Sequence, residues 1–214
     1  MKTLAFDCSS KTMSAAFCAD GALIAQRFLD EGLTHSETLL PAIEFVLGGE
    51  RPDEVVVTRG PGSFTGLRIG IATALGLSAA WGVPCFGASP LEAAARNISR
   101  DGVVCAVMDA RRSQVYNALF ERQGGVLARL CADRAVAAEE LFAEIGEKSV
   151  ILVGDGAEMC YNIWRSDNIT LAPAGSRYPT GYGVSRCART SSEPVYLRVP
   201  QAERERMMRE GNVK

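Results

Sequence analysis

The 214-residue chain predicts an α/β fold of two lobes made by internal duplication, each lobe a β-meander followed by alternating helices and strands. Two observations predict it. The segments "LAFDCSSKTMSAAFCADGALIA" and "CAVMDARRSQVYNALFERQGGVLA" share one grammar: a strand ending in aspartate (Asp7, Asp109), a turn, a second strand, a glycine (Gly21, Gly124) and a third strand. Their offset is about a hundred residues, nearly half the chain. The run "EVVVT" before Gly60 and Gly62 is echoed by "SVILV" before Gly154 and Gly156, and both suit strands buried on two faces. The expected division is residues 1–100, 101–199 and a charged tail at 200–214.

The elements follow in order. "TLAFDCS", "SAAFCA" and "ALIAQRFL" read as three strands parted by the turn chemistry of "SKT" and "DG". "THSETLLPAIEFVL" switches to helical period, with Leu39, Leu40, Ile43, Val46 and Leu47 as its stripe and Thr34 and Glu37 spaced as a capping box. Pro41 either kinks that helix or marks its first turn. A strand at Glu54–Thr58, a helix over Leu67–Trp81, a strand in "VPCFG" and a helix at Leu91–Ile98 complete the first half. The tail, Gln201–Lys214, reads as a solvated helix to which no role is assigned.

The net charge of −2 gives no bulk attraction for nucleic acid, so any RNA link is expected to come through a partner. The opening "MKTLAFDCSS" is interrupted too early for a secretory leader, and no run is expected to cross a membrane. Seven widely spaced cysteines without a CxxC pair read as reduced thiols, so a cytoplasmic setting is expected.

The stretch "TRGPGSFTGLRIGIATALG" looks like a phosphate loop but fits neither common kind. A Walker A loop needs a lysine where Arg68 stands, and the GxGxxG fingerprint fails at Thr65. Gly60, Pro61 and Gly62 instead suit a tight turn, with Ser63 or Thr65 capping a helix. Gly66, Gly70, Ala74 and Ser78 recur every four residues, and Ala72, Gly76 and Ala80 repeat the pattern on a neighbouring face. A face stripped to backbone lets another helix approach closely, within the same domain or from a partner.

Asp7 and Asp109, at strand ends, occupy the place where a duplicated nucleotide-binding fold holds Mg²⁺ near phosphates, and the ordinary alternative is a turn-capping aspartate. Asp7, Asp109, Gly154 and Gly156 are therefore candidates for a vestigial nucleotide site. His35 is the only histidine, and the position one helical turn on is Leu39, so an HxxxH metal pair is absent.

Together "LAFDCSSKTMSAAF", "THSETLLP", "GPGSFTGLRIG", "MDARRSQVY" and "EPVYLR" resemble the bacterial TsaB (YeaZ) family over residues 1 to 198. The resemblance implies a duplicated ASKHA architecture, the actin/Hsp70-like and ribonuclease H-like fold. It also implies a role in forming N6-threonylcarbamoyladenosine at position 37 of tRNAs that read ANN codons. In that pathway the related TsaD carries the metal site and transfers the group, the ATPase TsaE joins the pair, and TsaC makes the adenylate substrate. The implied role is a non-catalytic partner with no cofactor of its own, ATP and metal residing on the other proteins, tRNA reached through the complex, and homodimers when TsaD is absent. In the family the partner surface comes from the first two helices, here Ser36–Leu47 and Gly66–Ala80. Leu39, Leu40, Ile43, Leu67, Gly70, Ile71, Ala74, Leu75 and Ser78 are the expected contacts. The competing expectation is an ATP-dependent phosphotransferase of the same superfold.

Overall fold

Two mixed sheets laid out on one plan form the frame of the computed structural model, which describes residues 1–30 and 34–198. In the first, β1 (Lys2–Asp7), β2 (Met13–Ala19) and β3 (Ala22–Leu29) make an antiparallel meander. β4 (Glu54–Thr58) then pairs with β1 in parallel, and β5 (Cys85–Ala88) with β4. The second sheet repeats this with the meander β6 (Gly102–Asp109), β7 (Gln114–Gln123) and β8 (Val126–Arg129). After β9 (Arg134–Ala137), β10 (Val150–Val153) joins β6 in parallel and β11 (Ile169–Leu171) joins β10. The orders β3-β2-β1-β4-β5 and β8-β7-β6-β10-β11 match strand for strand, so the duplication expected from sequence is present in the topology. β9 has no counterpart in the first sheet. It pairs with the first residues of β7, in line with β8 along the same edge.

The helices obey the same plan. α1 (His35–Leu47) and α2 (Phe64–Trp81) cover one face of the first sheet, and α4 (Ala138–Ile145) and α5 (Ala157–Trp164) one face of the second. α3 (Pro90–Arg96) and α7 (Gly181–Ser185) lie between the sheets, following α6 (Ala174–Arg177) in the second case. The alternation along β1 explains the layering. Leu4 and Phe6 fill the core under α1 and α2, whereas the small Ala5 faces α7 from the other side. The two halves exchange these inner helices: α3 packs Leu91, Ala94 and Ala95 on β6, while α7 from the second half lies on β1 and β2.

Boundaries differ from the expected ones where caps decide. α2 starts at Phe64 rather than Leu67, because the Ser63 hydroxyl accepts from the Gly66 N–H at 3.3 Å. α3 opens on Pro90 behind the capping Ser89 and stops at Arg96, before Ile98. The capping box at Thr34 does not form; the Thr34 carbonyl, not its hydroxyl, receives the Glu37 N–H. Pro41 sits inside α1 rather than in its first turn, on the exposed side of the helix. All seven cysteines are free thiols, as expected. The expected tail helix at 201–214 lies outside the described residues.

A strap from the second half ties the lobes together. Thr190 bridges to Gly87, the Val195 N–H donates to the Arg59 carbonyl at 2.8 Å, and the Tyr196 ring lies 5.0 Å from that of Phe64. The Arg198 guanidinium closes it by donating to the carbonyls of Ala110 and Arg111.

Candidate functional site

Duplication places the carboxyl end of β1 opposite that of β6, and a cleft of about 700 Å³ opens between them. Its walls include Ser9, Ser10 and Lys11 after β1, Gly62 to Thr65 at the start of α2, Asp109 to Arg111 after β6, Asp155, and Val195 to Arg198 of the strap.

Asp7 is shut away from this cleft. It is 0% exposed, and its Oδ1 accepts from the Thr58 hydroxyl at 2.7 Å and the Ser9 N–H at 3.1 Å. Burial pushes its carboxyl above the ordinary value. This corrects the expectation that Asp7 could hold Mg²⁺ for a nucleotide, because β1, β4 and the Ser9 turn close around it. Asp109 is exposed at the cleft wall, its Oδ1 accepting from the Arg111 N–H at 2.6 Å, so it acts as the turn-capping residue. Its own N–H donates to Asp155 Oδ1 at 3.1 Å.

The Gly154-Asp155-Gly156 loop has a packing reason for its glycines. A Cβ at Gly154 would lie 1.9 Å from the Val107 carbonyl oxygen, and one at Gly156 3.0 Å from the Asp109 nitrogen. Both glycines let the loop cross the end of β6 in backbone contact. The residues named as vestigial nucleotide candidates are thus partly gathered, with Asp109 and the loop on the second lobe and Asp7 walled off in the first. The Gly60-Pro61-Gly62 turn is clamped rather than open: Cβ atoms at Gly60 and Gly62 would each lie 2.3 Å from a carbonyl oxygen, of Val195 and Ser9 respectively.

Asp155, not singled out from sequence as a carboxylate, is the titrating group of the cleft. Burial pushes its carboxyl up to about 6; the nearby Asp109 and Asp7 carboxylates add to this, and the Asp109 N–H opposes it. A carboxyl that holds its proton more tightly when folded costs stability once ionised. Asp155 therefore weakens the fold progressively as pH rises from the unfolded value near 4, and in full above the folded value of about 6. Asp155→Asn, which keeps the acceptor for Asp109, is expected to stabilise the chain by about 1–2 kcal/mol at pH 7.5. The gain should vanish by pH 4 in urea unfolding curves.

Three residues in the turn after β6 were also invisible in the sequence. Arg111, Arg112 and Ser113 have φ of 62°, 54° and 58°, three successive left-handed residues without a glycine among them. Such a conformation costs roughly 1–2 kcal/mol per residue, so hydrogen bonds must hold it. The Ala110 N–H donates to Gln114, the Gln114 N–H to Arg111 and the Ala138 N–H to Ser113, while Arg198 and Asp109 clamp the entry.

The second feature is the outer face of α1 and α2. Of the expected contacts, Leu39, Ile43, Leu67, Ile71 and Ala74 are buried in the core of their own lobe, and Gly70 is buried against Cys8 and Val57. These six are corrected: residues buried within their own lobe cannot touch a partner unless the lobe opens. Ser78 is half-buried and spends its hydroxyl on the Val83 carbonyl. Leu40 and Leu75 are the expected residues that do reach solvent, 49% and 47% exposed, joined by Phe45 at 59%. Ala72, Gly76, Ala79 and Ala80 are exposed around Leu75, and nothing lies within 4 Å of a Cβ built on Gly76. The bare face available outside is therefore that of Ala72, Gly76 and Ala80, while the Gly66–Gly70–Ala74 face is spent inside. Contrary to expectation, α2 is long and apolar enough to cross a membrane by length and composition, yet only 28% of it is buried. Its inward stripe fixes it against β4, so the exposed remainder is an apolar surface on a folded lobe.

Three comparisons bear on these features. The family model described as TsaD, tRNA N6-adenosine threonylcarbamoyltransferase, matches residues 32–170. The tRNA threonylcarbamoyladenosine biosynthesis protein TsaB of Bacillus subtilis is 32% identical over 154 residues, 69% of this chain and 67% of that protein. TsaB of Escherichia coli is 29% identical over 220 residues, 92% of this chain and 95% of that one. The solved structure of YeaZ from Pseudomonas aeruginosa superposes with a TM-score of 0.77 at 24% identity, covering 92% of this chain and 99% of that chain, a likeness of fold.

Proposed function

Since the chain belongs to the TsaB (YeaZ) family within the wider TsaD domain family, we propose that it is a non-catalytic subunit that pairs with a TsaD transferase through the outer face of α1 and α2. Membership carries the coarse role, biosynthesis of threonylcarbamoyladenosine in tRNA. The finer reading adds TsaE as a third component, TsaC as the source of the activated substrate, tRNA reached through the complex, homodimers through the same face when the transferase is absent, and a cytoplasmic setting. ATP and metal belong, in this reading, to the partner proteins.

One observation carries the reading: Leu75 stands exposed among the small residues Ala72, Gly76, Ala79 and Ala80 on the outer face of α2, with Leu40 exposed on the neighbouring α1. Small residues admit a helix backbone closely, and the large ones supply the area of a hot spot. With one histidine, the chain has no HxxxH pair of the kind the resemblance assigns to the transferase. Reconstitution tests it. The chain alone is expected to transfer nothing, and TsaD with TsaE and TsaC is expected to gain its full rate only when the chain is added. A transferase equally fast without it would overturn the reading. The competing phosphotransferase predicts micromolar Mg-ATP binding by the isolated chain in a calorimetric titration.

A further inference from the structure

The geometry points to the Arg111-Arg112-Ser113 turn as a preformed contact for RNA phosphates at the mouth of the interlobe cleft, an inference that rests on the proposed role in tRNA modification. With a net charge of −2 the chain has no diffuse field to draw RNA, so a contact must be local and positioned. This turn is both. Arg111 and Arg112 are exposed, and among the described residues neither guanidinium has a hydrogen bond or an ion pair. Each offers a planar fork suited to phosphate oxygens.

The carboxylates around the turn do not neutralise it through pairing. Asp109 is taken by the Arg111 N–H and Asp155 by the Asp109 N–H. Glu139 and Glu140, in the first turn of α4, form no ion pair with either arginine. Backbone held in three successive left-handed residues is the second argument. A turn free to relax would not keep this conformation, and here strand ends, α4 and Arg198 all hold it. The result is two exposed arginines carried on a held backbone on the second lobe, sharing no residue with the outer face of α1 and α2. An acidic protein segment could meet the same two cations, and the test separates it.

The test uses the full chain assembled with its TsaD partner and an unmodified tRNA transcript, titrated by fluorescence anisotropy across a range of salt. The double variant Arg111→Gln/Arg112→Gln is expected to bind about tenfold more weakly, with the salt slope reduced by about two, equally for every transcript sequence. Arg111→Lys/Arg112→Lys should keep most of that slope, and neither variant should change pairing with the partner. Unchanged affinity and slope would overturn the proposal. So would a loss of partner binding measured without RNA, which would assign the turn to protein contact. If the wild-type chain forms no complex, the functional reading falls, and the same titration on the chain alone decides the turn; a transcript that neither form binds overturns it.

Discussion

Leu75→Glu is expected to abolish pairing with the transferase while leaving the melting temperature of the isolated chain unchanged. Leu75 is half-exposed, so glutamate there meets water in the free chain, and the two residues have similar helix propensity. In an apolar interface the same carboxylate would be desolvated without a partner, which at a hot-spot position costs about 3 kcal/mol or more, a loss of at least a hundredfold in affinity. Calorimetry with the partner and sedimentation of the chain alone read the two halves of the result. Retained pairing would remove α2 from the interface. Ala74→Glu looks equivalent in sequence but differs in kind, because Ala74 is 0% exposed; it is expected to unfold the lobe rather than release a partner.

This pair of residues shows what the sequence reveals and what it hides. Strand grammar repeats along the chain, so the duplicated sheets are legible, and the meander-then-parallel order follows. The two candidate helices are legible from period. Their orientation is not, because Gly66, Gly70 and Ala74 and the neighbouring Ala72, Gly76 and Ala80 are equally bare, and composition cannot say which face turns inward. Tertiary contact decides it: the Cys8 carbonyl and the Val57 side chain occupy the space beside the first face. The cleft is half-legible. Asp109 and the Gly154 loop follow from the repeat, but Lys11, Tyr196 and Arg198 arrive from turns and a strap that carry no period. Arg111 and Arg112 read as ordinary surface residues until their backbone angles are seen.

Two glycine substitutions ten residues apart on α2 are expected to have opposite signs. At Gly66 an added Cβ would sit 2.1 Å from the Cys8 carbonyl oxygen and 3.3 Å from its carbon, atoms of backbone that cannot swing aside. The first turn of α2 must lift from the β1–β2 turn, and with it goes the Ser63 cap on the Gly66 N–H. Overpacking and cap loss together put Gly66→Ala at about 3 kcal/mol of destabilisation, read as a lowered urea midpoint. At Gly76 nothing lies within 4 Å and the residue is helical and exposed, so Gly76→Ala should stabilise the free chain by about 0.5–1 kcal/mol through the unfolded state. If a partner helix rests its backbone on the Ala72–Gly76–Ala80 face, that methyl group intrudes, and affinity for the transferase should fall as the melting temperature rises. A variant more stable and equally well paired would mean that the outer face of α2 is not where the partner makes its closest approach.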